Sequence, residues 1–242
     1  MMNGMRQMIK PWRHVFKLDP DRELGDRELA AVCLSGTDAI LVGGSTGVTY
    51  ENTVSLLSRI RQYDLPCALE VSDLEAAVPG FDLYMIPMVL NTADTSWILG
   101  HHRRAIERFG SLIPWELLLT EGYIVLNGDS SVARLTGADC SLSADGAAAY
   151  AQIADKLMNL PVVYLEYSGC FGDMETVREV RAMVEHSQLF YGGGITGGEE
   201  AMQAAALCDT VVVGNIIYRD VEQALLTVQA VKSTPQIDRK NL

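Results

Sequence analysis

Short runs of strand length, apolar on both faces, recur along this chain and alternate with stretches of helical periodicity. The runs lie at 14–19 (HVFKLD), 39–44 (AILVGG), 67–71 (CALEV), 83–89 (LYMIPMV), 122–127 (GYIVLN), 162–167 (VVYLEY), 189–194 (LFYGGG) and 210–215 (TVVVGN). Lacking strict alternation, they predict parallel strands covered by helices rather than strands with one wet face. Helical spacing predicts helices near 26–34, 49–62, 95–108, 145–158, 173–186, 197–207 and 219–232. Eight strands with mostly helical crossovers predict an α/β protein, a modified TIM (β/α)8 barrel. An open doubly wound sheet is the other architecture this pattern allows.

One crossover is too short. About eleven residues, Ser72 to Asp82, separate the third and fourth runs, and a crossover that carries its own helix needs a dozen or more. Pro79-Gly80 adds a turn signal, so the third helix is expected to be missing or reduced to a turn. Gly36-Thr37-Asp38 followed by 39–43, and Cys208-Asp209 followed by 210–214, echo each other. In each, an acidic residue introduces an apolar strand that ends in glycine. No linker divides the chain, so 1–242 reads as a single domain with its core at 12–232 and a polar tail, 233–242, expected to fray.

Composition narrows the function classes. The chain has 242 residues, 48% of them hydrophobic, and carries 19 basic against 31 acidic residues for a net charge of −12. That length suits one barrel. The acidic balance argues against nucleic acid as a partner, because neutralising phosphates needs a basic surface. Cys33, Cys67, Cys140, Cys170 and Cys208 are scattered, with no Cys-x-x-Cys pair, and imply reduced, mostly buried thiols rather than a zinc site or disulfide framework. No run approaches the roughly 18 apolar residues of a membrane span, and 1–11 lacks the apolar core of a signal peptide. A cytoplasmic protein is expected.

Candidate chemistry sits at the strand ends, where barrels of this kind carry their active sites. Lys17 and Asp19 share one face of the first run. They read as an anion contact and a cation ligand, or as an ordinary ion pair. Gly43-Gly44-Ser45-Thr46-Gly47 could hold a phosphate on backbone N–H groups with Ser45 on Mg²⁺, or form a tight turn. Gly192-x-Gly194-x-x-Gly197 matches a dinucleotide fingerprint in form but lies in the penultimate β unit. A phosphate site shared by Gly194, Gly214 and Asn215 explains those glycines better. Glu166, flanked on its own face by Tyr164 and Ser168, is placed to take a proton from a hydroxyl, or is a buried glutamate satisfied by neighbours. Trp97, Ile98, Leu99, Ile106 and Phe109 follow helical spacing and read as a core stripe or as the lining of an apolar groove.

These segments, in this order, resemble the geranylgeranylglyceryl phosphate synthase family, and within it the bacterial heptaprenylglyceryl phosphate synthase (PcrB) branch. The resemblance runs from about Trp12 to Lys232 and is carried by His14 to Pro20, Val78 to Tyr84, Tyr164 to Gly169, Tyr191 to Ile195 and Val213-Gly214-Asn215. It implies a barrel that has lost its third helix, in agreement with the short crossover. Carried over residue by residue, it implies that Lys17, Tyr164, Leu165, Glu166, Tyr167, Ser168, Gly169, Gly194, Gly214 and Asn215 bind sn-glycerol 1-phosphate. It further implies that Asp19 and Ser45 ligate Mg²⁺, and that the protein is a homodimer.

The activity implied is a magnesium-dependent prenyl transfer. The C3 hydroxyl of glycerol 1-phosphate attacks C1 of a long polyprenyl diphosphate, heptaprenyl in this branch, and pyrophosphate leaves. Glu166 takes the proton. The tail needs an apolar groove, for which the thin side near the lost helix and the segment from Trp97 to Phe109, with Trp97 and Ala105 as lining residues, are the candidates, and the lipid product implies transient membrane contact. Two other readings keep the same phosphate pocket: a phosphosugar isomerase or aldolase using Lys17, and a phosphate-ligand binding module without catalysis.

Overall fold

The eight apolar runs become eight parallel strands that close on themselves in chain order. They are β1 (His14–Leu18), β2 (Ala39–Val42), β3 (Cys67–Glu70), β4 (Leu83–Val89), β5 (Leu118–Val125), β6 (Val162–Glu166), β7 (Gln188–Gly192) and β8 (Thr210–Val213). The computed structural model describes residues 2–237. Closure comes from β8 pairing with β1, where Val15 lies opposite Val212 and Phe16 opposite Val213. The closed sheet rules out the doubly wound alternative.

The helices are α1 (Met2–Ile9), α2 (Asp26–Cys33), α3 (Tyr50–Ile60), α4 (Gly100–Phe109), α5 (Ser131–Thr136), α6 (Ala144–Gln152), α7 (Met174–Met183), α8 (Gly198–Leu207) and α9 (Val221–Ser233). Strand alternation sorts the apolar residues into two cores. Phe16, Ile40, Leu165 and Tyr191 face outward and pack under the helices. Val15, Leu41, Met85, Tyr164 and Phe190 fill the barrel itself. Each such side chain, fully withdrawn from water, contributes about 1.5–3 kcal/mol.

No helix joins β3 to β4, as the short crossover predicts. The connection covers the barrel with side chains instead. Ala76, Val78 and Phe81 are buried, and Tyr84 Oη donates to Val78 O at 2.9 Å. Arg61 pins the outer edge of this loop through Asp82 Oδ2 at 2.8 Å and Gly80 O at 2.5 Å.

The echo between Asp38 and Asp209 has a structural cause, and Asp82 shares it. Each aspartate precedes an even-numbered strand, and its Oδ2 accepts an N–H from the start of the strand before it. Asp38 accepts from His14 at 3.0 Å, Asp82 from Cys67 at 2.8 Å and Asp209 from Leu189 at 2.8 Å. The aspartate N–H returns a bond to the carbonyl of that same residue, 2.9 Å in all three cases. Three of the four strand pairs are thus latched alike at the barrel's N-terminal end.

Three expectations need correction. Strand β5 begins at Leu118, four residues before the apolar run that predicted it. Thr120 and Glu121 break the apolar pattern just ahead of that run, yet both belong to the strand. Second, α1 and α5 were not anticipated, and α5 at six residues is too short to display a period. α1 closes the N-terminal end of the barrel, with Met5, Ile9 and Trp12 packed into the inner core. α5 is capped by Ser130 Oγ, which accepts from Ala133 N–H at 3.1 Å. Third, the tail expected to fray is held where it is described. Ile237 N–H donates to Ala206 O and Gln236 Nε2 to Cys208 O, both at 2.9 Å. Residues 238–242 lie outside the described residues.

Candidate active site

The C-terminal strand ends enclose one cavity of about 560 Å³. Its walls come from one side of the barrel: β1 and β2, the turns after β5 and β6, and the ends of β7 and β8. Ten of the residues singled out in the sequence line it together: Lys17, Asp19, Ser45, Tyr164, Glu166, Ser168, Gly169, Gly194, Gly214 and Asn215. They come from segments almost 200 residues apart, so only barrel closure can assemble them.

Four others do not line it. Leu165 and Tyr167 point outward, because alternation turns 164, 166 and 168 into the barrel and sends 165 and 167 to the helices. Leu165 is wholly buried in the outer core, and the Tyr167 ring packs 5.8 Å from that of Tyr191. The side chains of Leu165 and Tyr167 therefore hold the strand rather than a ligand. Trp97 is half-buried, its ring 4.6 Å from His101, and Ala105 is half-buried on α4. Of that stripe, Trp97 packs against the inner core and Ile98 against the outer one. No residue of α4 is buried, and Leu99 and Ile106 are 67% and 47% exposed.

Glu166 ends β6 nearly withdrawn from water, 3% exposed. Its Oε2 accepts from Tyr123 Oη at 2.5 Å and its Oε1 from Ser168 N–H at 2.5 Å. An ionised carboxylate has about four acceptor sites, so both oxygens are fixed while each keeps room for one more donor. Burial, followed by the charge of Glu166, pushes the Tyr123 and Tyr164 phenols well above their usual range. They remain neutral donors. The turn after Ser168 is held by Asn127 Nδ2, which donates to Ser168 O at 2.6 Å.

Lys17 enters from β1 with its Nζ 2.5 Å from Glu70 Oε2 and 5.9 Å from the centre of the Tyr164 ring. Burial alone depresses an ammonium, but here the Glu70 and Glu166 charges outweigh it and Lys17 is raised. A protonated amine is an anion contact and a poor nucleophile. Beyond the ends of β1 and β8, Arg22 stacks 3.8 Å above Tyr218 and donates from Nη1 to Asn215 Oδ1 at 2.9 Å. That bond turns the Asn215 amide nitrogen away from Arg22 and leaves it as a donor. Gly194 has φ +63°, and a Cβ there would overlap the Cys170–Phe171 backbone. The close approach of the two turns is what brings strand ends β6 and β7 around one small volume.

The metal reading has a fit in this structure. The Asp19 carboxylate lies over the Gly43–Gly47 turn, so that a Cβ on Gly44 would come within 2.5 Å of Asp19 Oδ1. Asp19 and Ser45 both line the cavity, and a carboxylate with a hydroxyl is a donor set suited to Mg²⁺. Among the described residues no group of three or more His, Cys, Asp and Glu could hold a metal. A cation held by Asp19 and Ser45 would need ligand oxygens from a bound phosphate, which is how Mg²⁺ is commonly held.

Sequence reasoning missed Tyr123, Glu70, Arg22 and Tyr218. Tyr123 was findable, since it shares an inward face with Val125 in the run 122–127. Glu70 is the lone charge of the run 67–71. Arg22 lies in a loop and Tyr218 ends the short 3-10 helix Asn215–Tyr218, neither with a periodic signal.

Comparison with known proteins bears on the same chemistry. The model of the PcrB family matches residues 7–232. A heptaprenylglyceryl phosphate synthase of Bacillus cereus (strain G9842) is 53% identical over 224 residues, 93% of this chain and 98% of its own. One of Bacillus anthracis (strain CDC 684 / NRRL 3495) is also 53% identical over the same span. Among solved structures, (S)-3-O-geranylgeranylglyceryl phosphate synthase from Thermoplasma acidophilum, in complex with its substrate sn-glycerol-1-phosphate, superposes with a TM-score of 0.82. It has 25% identity and covers 94% of this chain and 98% of its own.

Proposed function

The chain belongs to the PcrB family, and from that premise we propose that it joins a long polyprenyl diphosphate, heptaprenyl as in its named relatives, to the C3 hydroxyl of sn-glycerol 1-phosphate. The observation that carries this is the meeting of Lys17 and Glu166 in one cavity: a fixed cation for the phosphate and a fixed acceptor for the hydroxyl proton.

In the reaction the C3 oxygen forms a bond to C1 of the prenyl chain as the bond from C1 to the diphosphate oxygen breaks. Pyrophosphate leaves with that electron pair, and the hydroxyl proton passes to the Glu166 carboxylate. Lys17, the backbone of Gly194 and Gly214 and the amide of Asn215 hold the phosphate. Holding it orients the hydroxyl and removes part of the entropic barrier. Proton acceptance by Glu166 is worth on the order of 10²–10⁴ in rate. Mg²⁺ held by Asp19 and Ser45 would neutralise charge on the leaving diphosphate. The stacked faces of Tyr123 and Tyr164, 4.6 Å apart, and the buried floor exclude water from the allylic carbon.

The cavity does not hold a heptaprenyl tail beside two phosphate groups, so the tail must leave it. The unburied α4, with exposed Leu99 and Ile106 beside Trp97 and Ala105, is the path we assign to it. A homodimer is proposed as well, with exposed Leu112 and Trp115 beyond α4 as surface for a second copy. Sedimentation at micromolar protein checks it. Among the described residues no helix is long and apolar enough to cross a membrane. Cytoplasmic residence with transient contact at the bilayer is the reading we attach to that.

The test is a panel of prenyl diphosphates of increasing length, incubated with glycerol 1-phosphate or glycerol 3-phosphate and magnesium, followed by lipid extraction. A prenyl ether of glycerol 1-phosphate, made fastest with the heptaprenyl donor, is expected. Pyrophosphate release without an ether product, or indifference between the two glycerol phosphates, would overturn the assignment.

A further inference from the structure

Glu70 is the only inward charge contributed by the β3–β4 side of the described barrel, and it does not touch the cavity. Its Oε2 instead lies 2.5 Å from Lys17 Nζ, with the carboxylate side chain 8% and the lysine 20% exposed. The lysine enters between apolar neighbours, with Leu41 opposite it on β2 and the Tyr164 ring near its ammonium. None of these could hold a long side chain in one rotamer by a directional bond. Glu70 could. An ammonium has three N–H donors. One spent on Glu70 leaves two for a ligand above.

We propose that Glu70 is a positioning residue, which fixes the Lys17 ammonium at the cavity floor so that it meets the phosphate of the acceptor already oriented. The role rests on the glycerol phosphate reading of the cavity. A free lysine side chain is rich in rotamers, and ordering it during folding spares that entropy loss when the ligand binds. Glu166 is the next carboxylate acting on Lys17. Without Glu70 the ammonium is drawn toward Glu166 and away from the phosphate.

The experiment compares wild type, E70Q and E70D by calorimetric binding of glycerol 1-phosphate, by steady-state kinetics with each substrate varied, and by thermal melting. E70Q keeps the size and an acceptor atom but loses the charge. Its Kd and KM for glycerol 1-phosphate should rise about 10-fold, as for exchange of an ion-paired partner for a neutral acceptor. The KM for prenyl diphosphate should stay within about twofold and kcat within about threefold, a split that a loosened fold would not produce. E70D, whose carboxylate is drawn back by one methylene, should fall between the two. Should E70Q fail to fold, E70D alone decides, and an affinity equal to wild type overturns the role. A wild type that binds no glycerol phosphate sinks the reading of the cavity and the role of Glu70 together. A wild type that binds, with E70Q binding as tightly or more tightly, or losing both substrates equally, sinks the role of Glu70 alone.

Discussion

Tyr123 Oη donates to Glu166 Oε2 across 2.5 Å, from one strand to the next. The barrel register makes the pair. Tyr123 lies opposite Tyr164 on β6, and Val125 opposite Glu166. The phenol thus rises from one inward layer beneath the carboxylate and reaches it from below. Ser168 N–H takes the other oxygen. A carboxylate clamped at both atoms cannot rotate, and the acceptor site it turns to the cavity is fixed.

Tyr123→Phe keeps the ring stack and deletes the donor. We expect kcat to fall about 10–100-fold, with the KM for glycerol 1-phosphate within a few-fold. Glu166→Gln should cost on the order of 10²–10⁴ in kcat while leaving glycerol phosphate binding in place. Because Tyr123 acts through Glu166, the double variant should be no slower than Glu166→Gln alone. Initial rates for the four proteins check this. Independent, multiplying losses would show that Tyr123 has a separate part in the reaction.

Glu121 is fully buried inside the barrel, and neither carboxyl oxygen has a hydrogen-bond partner. Burial first, and then the charge of Glu70, pushes it well above the usual carboxylate range. In the unfolded chain a glutamate releases its proton near pH 4.3. Above that pH the unfolded state binds fewer protons than the folded one, so stability falls as pH rises. Glu121→Gln removes this loss. Its Tm should exceed that of wild type at pH 8 by on the order of a few °C, and the gap should shrink toward pH 4. A gap constant between pH 4 and pH 8 would mean that Glu121 is ionised in the fold.

Much of this was legible in the chain because the barrel repeats one rule. Apolar runs gave the strands, eleven residues could not carry a crossover helix, and alternation placed Tyr164, Glu166 and Ser168 on one face. The same alternation, carried back through 125 and 123, gives Tyr123. It also sends the side chains of Leu165 and Tyr167 outward, which leaves any ligand contact at those two positions to the backbone. Single acids such as Glu70 and Glu121 were harder, since a lone charge in an apolar run does not disclose whether it ends the strand or is buried within it. The stripe from Trp97 to Phe109 was legible only as a stripe. Spacing shows that an apolar face exists, and contains nothing about what covers it.

His14 is a second buried group with a sign that can be worked out. Its ring nitrogens lie 2.9 Å from Thr37 Oγ1 and 2.9 Å from Thr227 Oγ1. Burial pushes its pKa down to about 3, against the opposing charge of Asp38. In the unfolded chain histidine takes up a proton near pH 6.5. As pH falls from 6.5 toward 3, the unfolded state gains a proton that the folded state refuses, and stability drops. At pH 4 the loss amounts to about 3 kcal/mol. Melting curves from pH 7 to pH 4 should show the Tm of wild type falling more steeply than that of His14→Gln. Parallel curves would refute the buried neutral ring.

Chelation tests the metal reading of Asp19 and Ser45. EDTA should abolish prenyl transfer, and added Mg²⁺ should restore it. Asp19→Ala should raise the magnesium concentration for half-maximal rate at least about tenfold, as for loss of one charged ligand. Glycerol 1-phosphate binding measured without metal should change little. Undiminished turnover in EDTA would remove magnesium from the reaction.

The tail path along α4 can be blocked by size. Ala105 is half-buried on a helix that has no buried residue, beside Ile106 at 47% exposure. An indole placed there would fill the surface along which a long chain must lie, while a donor short enough to end before it would be unaffected. Ala105→Trp should therefore lower kcat/KM for the heptaprenyl donor by about 10-fold or more, the effect of losing one to two methylene-sized contacts. Turnover of a geranylgeranyl donor should stay within a few-fold. The product spectrum from mixed donors, read by mass spectrometry after lipid extraction, should shift to shorter ethers. Unchanged preference for the longest donor would mean that the tail leaves the cavity by another side, such as the face of β3 and β4 that no crossover helix covers.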